Sequence, residues 1–290
     1  MKVLFCTDGS KTSFNALENF SKWHRAASVD IICVIDWSFL PDEVYIEESG
    51  FANSCANVAC SIIEKAKNEI TELGMNLDEA YRVCGSASDS IAEQLDSKNY
   101  DLVLMGSHGK KGLQRWLGSV SREIIINTQT SGYVSKENNN ARKILFTTDG
   151  SEQALHAIKK TINSFNFENK EIHLCTVNED PDLLFLEGSL DANWLLEIQK
   201  RQKMFALKTL KEAELLIQES GLTIAGKSVL SGQPAQAIID YSSKENIDLI
   251  VLGGRLKAKH TFLRNSVNER ILENTKSDVM IIKSQSENIE

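Results

Sequence analysis

The sequence predicts an α/β protein built as two tandem, doubly wound domains, each with a five-stranded parallel sheet. Two observations lead to this fold class. Short apolar segments alternate with longer segments of helical periodicity, and the second half of the chain repeats the first. Strands that are apolar on both faces and separated by helices favour a parallel sheet that is covered on both sides. Right-handed crossovers then wind each sheet in two directions.

The first half of the chain contains five predicted strands and four predicted helices. Apolar runs predict strands at Lys2–Thr7, Asp30–Ile35, Ala80–Cys84, Leu102–Gly106 and, more weakly, Gly132–Ser135. Helical periodicity predicts helices at Ser10–Ala26, about Asn53–Leu73, Ser88–Asp96 and Ser119–Asn127. The second half contains clearer strand segments, of sequence IHLCTV, LIVLGG and VMIIK.

The internal repeat places the domain boundary. Val3–Ser10 reappears as Ile144–Ser151, an offset of 141 residues, and in the last third of each copy the offset is 147 residues. The change in offset falls after the second strand, where an insertion in a loop costs little free energy. A polar segment, Glu137–Asn140, separates the two copies. We therefore expect domains at residues 1–137 and 142–290.

Composition and charge exclude several classes of protein. The formal net charge is −8 and the basic residues look dispersed, which argues against a nucleic-acid-binding role. The amino-terminal segment has no apolar run of the length a signal peptide needs, and no run of apolar residues is long enough to span a bilayer. The six cysteines form no CxxC pair. We expect a cytoplasmic protein with reduced thiols and no metal or membrane site.

A glycine-rich segment after the fourth predicted strand carries the most specific chemical signal. Gly106, Gly109 and Gly118 precede Ser119, where a helix is expected to begin. Glycines let backbone N–H groups approach an anion closely, and Ser119 could cap the helix. The free N–H groups of a helix amino end favour phosphate. This segment is therefore a predicted phosphate cradle.

Four segments, present in order in both halves, resemble the universal stress protein (UspA-type) family. In the first copy they are Asp8-Gly9-Ser10, Val34, Gly106-Ser107-His108 and the run Gly118–Ser121. Members of that family that bind ATP carry Gly-x2-Gly-x9-Gly-Ser/Thr at the glycine segment. This chain has Gly106-x2-Gly109-x8-Gly118-Ser119, which is one residue shorter.

The resemblance implies a Rossmann-like fold of the adenine nucleotide alpha hydrolase type that binds ATP, with Mg or Mn on the triphosphate. It implies that Asp8 lies near the base and ribose, and that Val34 presents backbone groups to the adenine. The residues that it assigns to ATP are Thr7, Asp8, Val34, Gly106, His108, Gly109, Gly118, Ser119 and Val120. Asp8 could equally cap the first helix. No catalytic residue is identified, so at most a weak ATPase is expected.

The second copy departs from this pattern, because Leu256 replaces the second glycine and Asn265 the third. We expect no ATP binding there. The leading interpretation is a stress-response regulatory protein that binds ATP in its first domain and acts on an unidentified protein partner. The alternative is a tandem scaffold that binds no nucleotide. The resemblance also implies an intramolecular pseudo-dimer through the last strands, Gly132–Ser135 and the better strand Val279–Ile282, and whole chains could dimerise further.

Overall fold

A computed structural model of the chain describes residues 1–24, 27–36, 49–108, 117–136, 140–179, 192–256 and 266–284. The first domain contains β1 (Lys2–Cys6), α1 (Lys11–Trp23), β2 (Ser28–Ile35), α2 (Ser49–Glu72), β3 (Asn76–Cys84), α3 (Ala87–Ser97), β4 (Leu102–Gly106), α4 (Ser119–Asn127) and β5 (Ser131–Ser135). The second domain contains β6 (Lys143–Thr147), α5 (Glu152–Ser164), β7 (Glu171–Asn178), α6 (Ala192–Glu219), β8 (Ile224–Ser231), α7 (Pro234–Lys244), β9 (Leu249–Arg255), α8 (Val267–Asn274) and β10 (Asp278–Ser284).

The strands of both domains form one continuous sheet, in the order β3-β2-β1-β4-β5-β10-β9-β6-β7-β8. Every pairing inside a domain is parallel, as the sequence predicts. The two domains meet where β5 pairs antiparallel with β10. We call this junction the seam. The predicted pairing of the two last strands is therefore observed.

Helices cover both faces of the sheet because successive strand residues point to opposite sides. On one face, Phe5 packs in a cluster that contains Phe20 of α1. On the other face, the neighbouring residue Leu4 packs in a cluster that contains Ile91 of α3 and Ile124 of α4. Strands with both faces buried explain the continuous apolar runs in the sequence. Among the helices in the described ranges, none combines the length and apolar content that a bilayer crossing requires.

Strand β5 differs from its sequence-based expectation. Its residues suggested a poor strand, yet all five are buried and β5 lies in the middle of the combined sheet. Gly132 allows α4 to pack closely, because a Cβ there would lie 2.1 Å from Cδ1 of Ile125. The small residues of β5 are therefore a packing requirement and not a sign of a weak strand.

A buried carboxylate of the second domain joins the seam to the first domain. Asp278 is 1% exposed and accepts hydrogen bonds from the Tyr133 hydroxyl at 2.7 Å and from the Lys136 backbone N–H at 2.7 Å. The Asn19 amide donates to it at 3.0 Å, and the Ser135 hydroxyl lies 3.3 Å from both carboxylate oxygens. Since an unsatisfied buried carboxylate is costly, these donors from the first domain fix where the second domain docks.

Gly132→Ala should destabilise the fold by about 1–3 kcal/mol, because the added methyl group overpacks a closely filled core. Thermal or urea unfolding would measure the loss. Ile125→Val removes the Cδ1 methyl group that the new Cβ would meet at 2.1 Å. The cost of Gly132→Ala should therefore be smaller in the Ile125→Val background, and an equal cost in both backgrounds would contradict this account of β5.

The seam should also make stability depend on pH through Asp278. Burial raises the pKa of Asp278 from 3.8 to about 7, although its hydrogen-bond donors act in the opposite direction. Between these two values the folded protein keeps a proton that the unfolded chain releases, so this contribution to stability is lost as the pH rises from about 4 to about 7. Burial also lowers the pKa of the neighbouring Lys136 to about 8, above that window.

Denaturant unfolding over this pH range should therefore show the wild-type protein losing stability relative to an Asp278→Asn variant as the pH rises. The comparison with the variant removes the contribution of the other carboxyl groups, including Glu79 and Glu214, whose lowered pKa values have the opposite sign. A stability difference that stays constant from about pH 4 to about pH 7 would show that Asp278 titrates as an ordinary carboxyl group.

Candidate functional site

The candidate site lies at the carboxyl end of the first domain's strands, between β1 and β4. In the strand order β3-β2-β1-β4-β5, connections run outward in opposite directions from these two strands. In open α/β sheets, ligands bind at such a switch point, beyond the carboxyl ends of the strands. The turn after β1 and the turn after β4 both open here.

The turn after β1 is built by its own side chains. The Thr7 backbone N–H donates to the carbonyl of Ile32 at 3.0 Å, and the Thr7 hydroxyl accepts from the Gly9 N–H at 3.0 Å. Asp8 accepts from the Ser10 N–H at 2.9 Å. Gly9 has φ +77°, which favours glycine. Ser10, not Asp8, is the residue that caps α1, since its side chain accepts from the Ser13 N–H. The capping alternative for Asp8 is therefore wrong in detail.

The turn after β4 is tied to both neighbouring helices. The Thr12 hydroxyl of α1 donates to the carbonyl of His108. The Gly118 N–H donates to the carbonyl of Ser107 at 2.6 Å, and the Ser121 hydroxyl of α4 donates to the carbonyl of Gly106 at 2.8 Å. These contacts bring Thr7, Asp8, Gly106, His108 and Gly118 to one edge of the sheet. Gly109, also assigned to this site by the sequence, lies outside the described residues.

Val34 reaches the same edge from β2. The register between β1 and β2 ends at the pair Cys6 and Ile32, whereas β2 continues to Ile35. Val34 thus lies beyond the last paired residue of β1, and its half-buried side chain packs against the core cluster that contains Leu4. Any contact that it makes with a ligand would come from its backbone.

The amino ends of α4 and the equivalent helix α8 are capped differently. The cap of α4 is Gly118, which has no side chain to accept a hydrogen bond from the helix, and Ser119 is the first helical residue. The prediction that Ser119 caps this helix is therefore wrong. Ser119 is exposed and Val120 is half-buried against the core, so both can offer backbone N–H groups at the helix amino end.

In the second domain the corresponding helix end is already satisfied. Ser266 caps α8 by accepting from the Glu269 N–H at 3.2 Å, and the Glu269 carboxylate lies in the first turn. The Glu269 carboxylate contacts Arg122 of the first domain, and α8 has this acidic residue in its first turn whereas α4 has none. A negative side chain in the first turn disfavours a second anion at that helix end. The two helix ends therefore differ in their capacity to receive an anion.

Within the described residues, β9 of the second domain continues past the point where the first domain turns after β4. Strand β9 continues to Arg255, which pairs with Ser284, and the Leu256 N–H donates to the carbonyl of Ser284 at 3.0 Å. In the first domain, the corresponding register ends at Gly106 and Ser135. Because β9 is longer, backbone N–H groups that a phosphate cradle would need are hydrogen-bonded within the sheet instead. Asn265 lies outside the described residues.

Close packing requires a glycine at the position of Gly106, a requirement that sequence reasoning missed. A Cβ on Gly106 would lie 2.7 Å from the backbone of Thr12 and Ser13, at the start of α1. A Cβ on Gly253, its equivalent, would lie 2.6 Å from the backbone of Gln153 and Ala154. The second copy keeps this glycine although the loop that follows it has changed. That pattern could have indicated that the glycine serves packing.

The described part of the site offers hydrogen-bond donors more than reactive groups. His108 has its Nδ1 atom 3.0 Å from the Ser107 hydroxyl oxygen. Within the described ranges, no cluster of three or more His, Cys, Asp or Glu side chains could hold a metal ion. The arrangement is suited to holding a polar, anionic ligand.

These features define a doubly wound α/β protein in which β4 of the first domain leads into a turn and a glycine-capped helix. The universal stress protein family model matches the chain twice, over residues 1–132 and 140–283, and the protein therefore belongs to that family in a tandem two-domain form.

Individual relatives agree with this assignment. A universal stress protein of Methanocaldococcus jannaschii is 30% identical over 143 residues, covering 49% of this chain and 82% of its own length. A second one from the same organism is 27% identical over 156 residues, covering 48% of this chain and 96% of its own. The crystal structure of a universal stress protein from Archaeoglobus fulgidus is similar in fold, with a TM-score of 0.68 at 19% identity and coverage of 97% and 96%.

Gly106→Ala and Gly253→Ala should destabilise the protein to a similar extent, by about 1–3 kcal/mol each, because each new Cβ meets helix backbone that cannot rotate away. Denaturant unfolding would measure both. A large loss for Gly253→Ala with none for Gly106→Ala would show that the shared packing explanation is wrong.

Proposed function

We propose that this protein is a stress-response regulatory protein whose first domain binds ATP as a ligand, with little or no hydrolysis. The observation that carries the proposal is the contrast between two equivalent helix ends. The amino end of α4 has a glycine cap beside the turns of β1 and β4, whereas the amino end of α8 is closed by Ser266 and Glu269. The proposal assigns nucleotide binding to residues 1–137 and a degenerate loop to residues 142–290.

In this proposal the ligand lies across the carboxyl edge of β2, β1 and β4. Asp8 and the Val34 backbone face the base and ribose, and Thr7 contributes backbone, since its hydroxyl is used in the turn. Gly106 and His108, with Gly109, line the ribose and phosphates. Gly118, Ser119 and Val120 hold the terminal phosphates through the amino end of α4. A Mg or Mn ion would be carried by the triphosphate.

The wider role follows from this assignment. A ligand held mainly by backbone N–H groups, with no identified base for an attacking water, changes the protein's surface and not its own covalent structure. The proposed protein is thus a cytoplasmic regulator that presents a nucleotide-dependent surface to a protein partner.

A second candidate function is a scaffold that acts through protein contacts without nucleotide. Exposed apolar side chains on α6 favour it: Met204 is 71% exposed, Phe205 64% and Trp194 49%. Large apolar side chains grouped on one exposed helix are typical of interaction surfaces. The nucleotide measurement below separates the two candidates.

Binding of Mg-ATP should raise the unfolding temperature of the wild-type protein. A ligand at a hundredfold excess over its Kd stabilises the folded state by about 2.7 kcal/mol. Asp8→Ala should reduce this shift, and Asp149→Ala is its matched control. Each carboxylate accepts from the N–H two residues later at 2.9 Å, so the two variants lose the same turn hydrogen bond. Only the Asp8 variant should lose ATP affinity.

Gly118→Asn tests the other end of the site, since it introduces the residue that the second copy carries at this position. Gly118 has φ −62°, and a Cβ there would make ordinary contacts with Ser107 and His108 among the described residues, so the variant should fold. It should bind ATP more weakly in calorimetry. No shift at millimolar nucleotide would favour the scaffold. Equal ATP shifts in the wild type and in both site variants would show that ATP binds outside the proposed site.

A further inference from the structure

A pseudo-twofold axis passes through the seam. Tyr133 pairs with Met280, which is 147 residues later and occupies the equivalent place in the repeat. Gly132 pairs with Ile281, and Val134 pairs with Val279. The register is therefore the same whether it is counted from the first domain or from the second. A residue close to such an axis faces its own equivalent in the other copy.

Arg122 and Glu269 are such equivalents, and they form an ion pair across the seam. The Arg122 guanidinium contacts the carboxylate of Glu269 and lies 2.8 Å from that of Glu273. Glu269 is 3% exposed, so its charge depends on this partner. Had the two copies remained identical, the position would hold either two arginines or two glutamates.

The same divergence appears at the buried carboxylate of the seam. Asp278 corresponds to Ser131 of the first domain. Its donors Tyr133 and Ser135 correspond to Met280 and Ile282, which have no hydroxyl group. The acceptor has therefore been placed in one copy and the donors in the other.

We infer that the two domains have diverged into complementary partners, so that each seam surface pairs with the opposite type and rejects its own. Pairing of two first domains would oppose two Arg122 guanidinium groups. Pairing of two second domains would oppose two Glu269 carboxylates and bury Asp278 beside Met280 and Ile282. Like charges facing each other across the seam, or a carboxylate buried there without its donors, disfavour these alternatives. Arg122, Glu269, Tyr133 and Asp278 are the specificity-determining residues.

Charge reversal in the full chain tests this inference. Arg122→Glu would place three carboxylates together, and Glu269→Arg would oppose two guanidinium groups. Each single variant should lose hydrogen-exchange protection of the β5 and β10 amides by about tenfold, in the range expected of contacting charges. The double variant Arg122→Glu/Glu269→Arg should recover protection to within about twofold. Arg142→Glu, which alters an exposed pair with Glu171 inside the second domain, is the matched control and should leave seam protection unchanged.

Absence of recovery in the double variant, or full seam protection in both single variants, would overturn the inference. If a reversal prevents folding, the neutral variants Arg122→Gln and Glu269→Gln replace it. Their losses should then be non-additive, because both remove the same pair, and additive losses would count against charge complementarity.

Discussion

The antiparallel pairing of β5 with β10 is the interaction on which the rest of the molecule depends. It turns two five-stranded sheets into one, and it buries the small residues of β5 that would make a poor edge strand. The Asp278 carboxylate fixes this pairing, since its donors come from the first domain. The position of β5 in turn orders the end of β4, because the Ser107 N–H donates to the Ser135 carbonyl. The candidate site therefore rests on a strand that the second domain holds in place.

Duplication gave the chain two equal frameworks, and the differences between them separate structure from function. Features present in both copies, such as the Asp-Gly-Ser turn and the glycine against the first helix, belong to the framework. Features confined to one copy are candidates for a specific role. By this criterion the glycine-capped amino end of α4 is a candidate for a specific role, whereas packing accounts for the glycine at Gly106.

Much of the fold could be predicted from the sequence because the information is local. Apolar runs predict strands β1 and β4, and helical periodicity predicts helix α1, each within a few residues of its observed bounds. The repeat extends this to the second domain. The seam could not be predicted in the same way. The side chains of Ser131 and Ser135 have their partners in the second domain, so the local sequence predicted only a weak strand here. The turns that form the candidate site were predicted from the sequence. The prediction that Ser119 caps helix α4 was wrong, because the helix begins one residue earlier than a cap at Ser119 requires.

The antiparallel seam has a geometric consequence for the two ligand edges. Because the strands of the second domain run opposite to those of the first, the two carboxyl edges open on opposite sides of the ten-stranded sheet. A molecule bound at one carboxyl edge would therefore not reach the other. Substitutions in the loop of one domain can change its own edge and leave the edge of the other domain unaltered.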